Sequence, residues 1–187
     1  MTKDKIRAGA LAMFAQRGYD ETTLDEIAEA AGVAKGTLYY HFKNKEALYA
    51  YVLSQGLADL TEAIAQAVSF EGLLPLERVA ALHEALFRVL ARERDFCRVL
   101  LASASNRQTH TEAAWSHLGP FFAFLEKTLA ELQAQGAIAA ELDIPTAASA
   151  TFGMIGMVVL RKHFRGEEVD VEPTRGTVLR MERLALG

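Results

Sequence analysis

The sequence has little cysteine and little proline, with one cysteine, Cys97, and four prolines in 187 residues. A single cysteine excludes an intramolecular disulfide framework and fits a reducing compartment, so we expect a cytoplasmic protein. Cys97 lies in an apolar stretch, where we expect a small buried side chain rather than a nucleophile. The first residues do not resemble a signal peptide, because an amphipathic pattern begins at once.

Long apolar runs are also scarce. The uncharged stretch 144–160 is shorter than the roughly 20 residues that cross a bilayer, and it contains Pro145 and three hydroxyl side chains. We therefore expect a helix that is buried on more than one side in a soluble protein, and no membrane partner.

Catalytic and metal-binding patterns are missing as well. The sequence has no glycine-rich phosphate loop. His83, His110 and His117 do not share a compact metal-ligand spacing. The sequence therefore predicts no enzyme and neither a bound metal nor a cofactor.

What the sequence does contain is helical periodicity. Apolar spacings of three and four residues, separated by glycine, proline and capping residues, predict an all-α protein of about nine helices. Thr23 and Glu26 have the spacing of a capping box, and Asn44 is placed to cap the fourth helix. The predicted helices cover about residues 3–17, 24–31, 35–41, 45–68, 76–92, 95–104, 115–135, 144–164 and 173–184.

Residues 24–42 have the layout of a helix-turn-helix. An apolar face precedes Gly32, which permits a sharp turn, and Val33 and Leu38 fill the angle between the two helices. The second helix is too short and too polar for a core helix. A recognition helix needs a few inward apolar anchors and hydrogen-bond donors facing outward. Its outward residues are predicted to be Lys35, Thr37, Tyr39, Tyr40 and His41.

Charge is arranged locally around that second helix. The net charge is −4, yet the charged residues between Ala30 and Lys45 are three lysines. A local basic patch on a mildly acidic protein suits DNA binding, although a solvated run of charge has the same pattern. Gly36 leaves room for close backbone approach to DNA, and Thr23 and Lys45 begin helices whose free N–H groups favour a phosphate.

Four segments resemble the N-terminal domain of the TetR family of regulators, in order and at matching spacing. They are residues 14–19, 22–28, 31–42 and 45–46, within about the first quarter of the chain. The resemblance implies a dimer of nine or ten helices, an operator with two-fold symmetry, and release from DNA when a ligand binds. It also implies two groups of DNA contacts: bases by Lys35, Gly36 and Thr37, and backbone by Thr23, Tyr39, Tyr40, His41 and Lys45. Ala34 departs from the pattern, because many relatives have Ser or Thr at this N-cap.

The two functions are expected in two domains, residues 1–45 for DNA binding and residues 46–187 for effector binding and dimerisation, joined through helix 4. The resemblance places the dimer on helices 8 and 9. Ala148, Gly153 and Gly156 in helix 8 allow close approach of a second chain. A central helix of a monomer would have the same apolar pattern.

An effector pocket is expected among helices 4 to 8, and its aromatic density indicates a bulky apolar effector. Each candidate is also an ordinary core residue by its sequence pattern. The predicted lining residues are Phe87, Phe96, Leu100, Trp115, Phe122, Phe152 and Ile155, with Phe121 and Phe124 beside them. Nearby arginines would either receive an anionic group, such as that of an acyl-CoA, or pair with neighbouring acids. They are Arg88, Arg92, Arg94, Arg98 and Arg107.

These features favour a DNA-binding repressor that a small, largely apolar effector releases from a palindromic operator. The effector would be an acyl-CoA-like molecule or a hydrophobic xenobiotic. A ligand-independent DNA-organising or division-control protein on the same fold is the main alternative, and effector titration distinguishes the two. A purely protein-binding helical module would show no salt-dependent binding to any duplex.

Overall fold

A computed structural model describes residues 2–105, 112–169 and 172–186. At residues 104, 105, 112–117 and 182–186 only the backbone is described. Within these ranges the chain forms nine α-helices and no strand, which confirms the predicted all-α fold. The helices are α1 (Thr2–Arg17), α2 (Leu24–Ala30), α3 (Lys35–His41), α4 (Lys45–Val68), α5 (Pro75–Arg92), α6 (Arg94–Ser105), α7 (Glu112–Ala134), α8 (Ile144–Arg165) and α9 (Thr174–Leu186).

Local capping fixes the ends of the N-terminal helices. Thr23 and Glu26 form the predicted capping box, and the Asn44 side chain accepts a hydrogen bond from the amide of Ala47 at 2.8 Å. Ala34 makes no side-chain cap, as its sequence predicts. Gly32 has a φ of +63° and makes the turn between α2 and α3, because a residue with a Cβ is strained in that conformation.

One continuous core connects the helix-turn-helix to the C-terminal helices. Helix α4 is buried along its length and contributes to both ends of that core. The Tyr49 ring lies 5.1 Å from that of Phe14 and 4.8 Å from that of Tyr19, and its hydroxyl donates to the Val99 carbonyl of α6 at 3.4 Å. Helix α6 also packs against α1. The helix-turn-helix end is therefore held by α6 as well as by α4, and a boundary at residue 45 stays a prediction.

Helices α4 and α6 interlock at a glycine. A Cβ on Gly56 would lie 2.1 Å from Cε2 of the Phe96 ring, far inside van der Waals contact. The ring therefore rests directly on the α4 backbone. A shift of either helix along this contact must move the other, since packed interiors have little free volume.

In the single chain, only one face of α8 is buried against other helices. Ala148, Ile155 and Val159 are buried, whereas Met157 on another face is 60% exposed. Length and composition alone would let this helix cross a membrane, but core helices of soluble proteins pass the same test. The predicted burial on a second side therefore requires a partner for that face.

The buried histidine of α5 makes stability depend on pH. Burial lowers the pKa of His83 to about 4 from its ordinary 6.5, so the unfolded chain takes up a proton before the folded protein does. The stability of the fold that contains this neutral imidazole is full above pH 6.5 and decreases as the pH falls below that value. We expect about 2 kcal/mol to be lost between pH 6.5 and 5.

Urea unfolding at fixed protein concentration checks this prediction with His83→Leu. The variant is expected to lose less free energy of unfolding than the wild type between pH 7 and pH 5, because it has no imidazole to protonate. Equal losses in the two proteins would contradict the assignment.

Candidate nucleic-acid interface

The two apolar anchors of α3 point inward and its polar residues remain at the surface. Leu38 is fully buried and Phe42 almost so, which holds α3 against the rest of the N-terminal core. Among the predicted DNA-contact residues of α3, Lys35, Gly36, Tyr39 and Tyr40 are exposed, and Thr37 and His41 are half-buried. The division between anchors and donors is the one that a recognition helix needs.

Tyr40 is the most prominent side chain of this surface. It is 85% exposed and meets the His41 ring edge-on, with 5.2 Å between the ring centroids. A phenol in this position has a hydroxyl for a phosphate oxygen and a face for a sugar or base. Folding gains little from so exposed a ring, so its position favours a role in binding.

Lys35 is paired within the helix-turn-helix. Its Nζ donates to Oδ2 of Asp25 at 2.5 Å, and the Tyr39 hydroxyl donates to the other oxygen, Oδ1, at 3.5 Å. The carboxylate of Asp25 raises the pKa of Lys35 through this hydrogen bond and its charge. Lys35 is thus protonated and held, with its charge opposed by an acid from α2.

Lys45 holds the start of α4 to the turn between α1 and α2. Its ammonium donates to the carbonyls of Tyr19 at 2.7 Å and Asp20 at 3.1 Å and lies 4.5 Å from the centroid of the Tyr19 ring. Burial, followed by the nearby charge of Glu46, raises the pKa of Tyr19, so the phenol stays neutral. Contact between Lys45 and a phosphate stays a prediction, and it would have to coexist with these bonds or replace them.

Thr23 and Gly36 occupy the two other predicted positions. The Thr23 hydroxyl donates to Glu26 at 2.8 Å and caps α2, and Arg17 pairs with the same glutamate at 2.5 Å. A Cβ on Gly36 would meet nothing within 4 Å. The surface at Gly36 is open, so the backbone of α3 can be approached closely there.

The sequence pattern did not place Asp25 on this surface. Lys35 and Tyr39 lie one helical turn apart on α3, a spacing that puts both on one face. The signal that could have revealed the contact is the position of Asp25, an acid in the first turn of the helix that precedes α3. The predicted roles of the DNA-contact residues remain predictions.

The predicted effector residues fall into two groups. Phe122 and Phe152 form a ring cluster with Phe121, with centroids 5.5 to 5.6 Å apart. The side chain of Trp115 lies outside the described residues. The other members are buried in the core, namely Phe87, Phe96, Leu100 and Ile155. An effector site at these positions therefore stays a prediction.

An open groove of about 450 Å³ lies between α4 and α7. Its lining is mostly apolar and includes Phe121 of the ring cluster, but otherwise differs from the predicted set. It is lined by Ser54, Leu57, Ala58, Thr61, Glu62, Pro120 and Phe121. Sequence patterns could not find this groove, because its shape depends on how two distant helices cross.

The arginines near α5 and α6 make different contacts. Arg88 pairs with Glu84 at 2.9 Å and Arg92 approaches Glu93 at 3.8 Å. Arg94 donates to the His163 carbonyl near the end of α8 at 2.7 Å. The Arg98 guanidinium lies 4.8 Å from the Phe164 ring centroid. Two of the four therefore pair with acids and two contact α8, while Arg107 lies outside the described residues.

Among the residues that the structure describes, no group of histidine, cysteine and acidic side chains is placed to hold a metal ion. Cys97 is buried, as predicted, and burial raises the pKa of its thiol to about 12. A thiol held protonated in this way is a poor nucleophile.

Comparison with known proteins identifies the N-terminal region. The family described as bacterial regulatory proteins, tetR family, matches residues 6–52. The biofilm operon icaADBC negative transcriptional regulators IcaR of Staphylococcus epidermidis and Staphylococcus aureus are each 49% identical over 47 residues, 25% of this chain and 25% of theirs. The chain thus matches about a quarter of the length of these curated relatives.

Solved structures match the whole chain. The fatty acid degradation regulator FadR of Bacillus halodurans is 25% identical, with a TM-score of 0.81 over 99% of this chain and 94% of that one. A Clostridium perfringens protein proposed to regulate fatty acid metabolism is 28% identical, with a TM-score of 0.83 over 97% and 96%. The FadR of Bacillus subtilis, solved with stearoyl-CoA, is 24% identical with a TM-score of 0.81 over 98% and 99%, a likeness of fold alone.

These likenesses agree with the geometry described above. The matched segment contains α2, α3 and the start of α4, and the structural matches extend the shared all-helical fold to the C-terminal helices. The printed names of these relatives are those of regulators, and the IcaR proteins are named as negative transcriptional regulators. Residues 6–52 are thus similar to the tetR family of bacterial regulatory proteins, and the chain as a whole is similar in fold to the solved fatty acid regulators.

Proposed function

We propose that the protein is a homodimeric repressor that binds a palindromic DNA operator and releases it when a largely apolar effector binds. The observation that carries this proposal is the orientation of α3, with Leu38 buried and Tyr40 exposed. Helix α3 would enter the major groove with Lys35, Gly36 and Thr37 at the bases, and the neighbouring residues would contact the backbone. The name of IcaR, a negative transcriptional regulator, supports repression.

Pairing of two chains would supply the second recognition helix. An apolar groove of about 300 Å³ lies between α8 and α9 and is lined in part by Met154, Val158 and Met181. Together with the exposed Met157, it forms an apolar surface that a second copy would cover. A symmetric pair presents two α3 helices to half-sites about one DNA turn apart.

The groove between α4 and α7 is the proposed binding site for the effector. An occupant that displaces α4 would act on the same helix whose first residue, Lys45, is tied to the α1–α2 turn. The Gly56–Phe96 contact would carry the shift to α6, which packs against α1. Stearoyl-CoA in the Bacillus subtilis FadR supports a long-chain acyl-CoA as the first compound to try.

Selection of a duplex from a random pool, followed by titration with stearoyl-CoA, tests this function. The wild type is expected to enrich a palindrome, to bind it more weakly as salt rises, and to release it as the acyl-CoA is added. Retention of the palindrome in the presence of stearoyl-CoA and of a panel of apolar compounds would support the ligand-independent alternative. Absence of salt-dependent binding to any duplex would contradict DNA binding altogether.

A variant that fills the groove assigns the effector site. Ala58→Trp is expected to weaken the response to stearoyl-CoA at least fivefold, because a new ring occupies the apolar wall. Ala134→Trp places the same ring at the exposed end of α7 and serves as the matched control. An unchanged response in Ala58→Trp would move the effector site elsewhere.

A further inference from the structure

One carboxylate reaches two predicted DNA-contact residues at once. Asp25 lies in the first turn of α2, where its two oxygens accept from Lys35 at 2.5 Å and from Tyr39 at 3.5 Å. Lys35 and Tyr39 are one turn apart on α3 and therefore project from the same face. Asp25 thus braces that face of the recognition helix from outside it.

The same contact changes the charge that DNA meets. Both side chains are open to solvent, with 66% of Lys35 and 48% of Asp25 exposed, so the pair is weak and exchangeable. A DNA phosphate that approaches Lys35 also approaches the carboxylate of Asp25. The attraction that a lysine normally gives to any duplex is therefore largely cancelled at this position.

We propose that Asp25 is a specificity-determining residue, which positions Lys35 and Tyr39 for the operator and suppresses binding to other DNA. This inference rests on the proposed DNA-binding function. Binding to random DNA depends mainly on charge, and Asp25 removes charge from the contact surface. Operator binding depends on the direction of donors towards particular bases, and the contacts with Asp25 favour one direction for both residues.

Asp25→Asn tests the inference, because it removes the charge and keeps a similar shape. Binding to a random 30-base-pair duplex and to the selected palindrome is measured across a salt series. We expect the random duplex to bind about three- to tenfold more tightly, with a salt slope steeper by about one unit. The ratio of palindrome to random affinity should fall at least threefold.

Two controls locate the effect. Glu71→Gln makes the same change of net charge in the exposed loop after α4 and should leave both affinities unchanged. In a Lys35→Met background, Asp25→Asn should gain less than half as much affinity for random DNA, because the lysine that it frees is absent. Asp25→Ser serves as a second variant if thermal melting shows that Asp25→Asn is poorly folded.

The outcomes separate this inference from the function on which it rests. A wild type that selects no duplex contradicts the proposed function. A wild type that selects a palindrome, together with an Asp25→Asn protein of unchanged specificity ratio, overturns the role of Asp25 alone. An equal gain in the wild-type and Lys35→Met backgrounds also overturns it, because the effect would then not pass through Lys35.

Discussion

Tyr40→Ala is expected to weaken binding of the selected palindrome at least tenfold and to leave the melting temperature unchanged. The ring is 85% exposed, so its removal takes little from the core. A tenfold loss corresponds to about 1.4 kcal/mol, within the range for one good contact in a protein–DNA complex. Fluorescence anisotropy of labelled duplex and thermal melting together measure both parts of the prediction.

Phe70→Ala is the matched control for Tyr40→Ala. Phe70 is 71% exposed and follows the C-terminal end of α4, about 36 Å along that helix from the recognition helix. Its loss should leave DNA affinity unchanged. Equal effects of the two substitutions would contradict the assignment of the binding surface to α3. Lys45 is less suited to this test, because its ammonium also holds the Tyr19 and Asp20 carbonyls.

If the proposed dimer forms through α8 and α9, Met157→Glu is expected to convert it to a monomer and to lower palindrome affinity about 100-fold or more. The carboxylate would lie in the apolar surface of α8 and α9, where a second chain would bury it without a partner. A monomer engages one half-site at a time and loses the high effective concentration of the second recognition helix. Light scattering and anisotropy measure the two effects.

Leu76→Glu is the control for the dimer prediction. Leu76 is an exposed apolar residue near the start of α5, so a new charge there should leave the mass and the affinity unchanged. A dimeric Met157→Glu protein with normal affinity would place the subunit interface on another surface.

Local sequence signals were sufficient to predict the helices of the candidate nucleic-acid interface. The bounds of α3 and α4 follow from Gly32, Phe42 and Asn44, because a turn or a cap involves residues only a few positions apart. The inward direction of Leu38 follows from helical periodicity for the same reason. These signals predicted the exposure of Lys35, Tyr39 and Tyr40, whereas Thr37 and His41, which were also predicted to face outward, are half-buried.

Contacts between residues that are distant in the sequence could not be predicted from these local signals. The Asp25–Lys35 pair joins two helices across a turn, and Lys45 reaches carbonyls 25 and 26 positions away. The Gly56–Phe96 contact and the α4/α7 groove depend on how helices cross, which periodicity does not determine. The aromatic residues proposed for the effector site illustrate the same limit, because core and pocket residues have the same pattern.

Directed DNA cleavage tests most directly whether α3 enters the groove. Ala34→Cys places a thiol at the exposed residue before α3, where it can take an iron-EDTA group, whereas the buried Cys97 does not react. We predict cleavage of the selected palindrome at two positions related by two-fold symmetry, about one DNA turn apart. Cleavage from a group at Phe70→Cys, with none from position 34, would contradict the account.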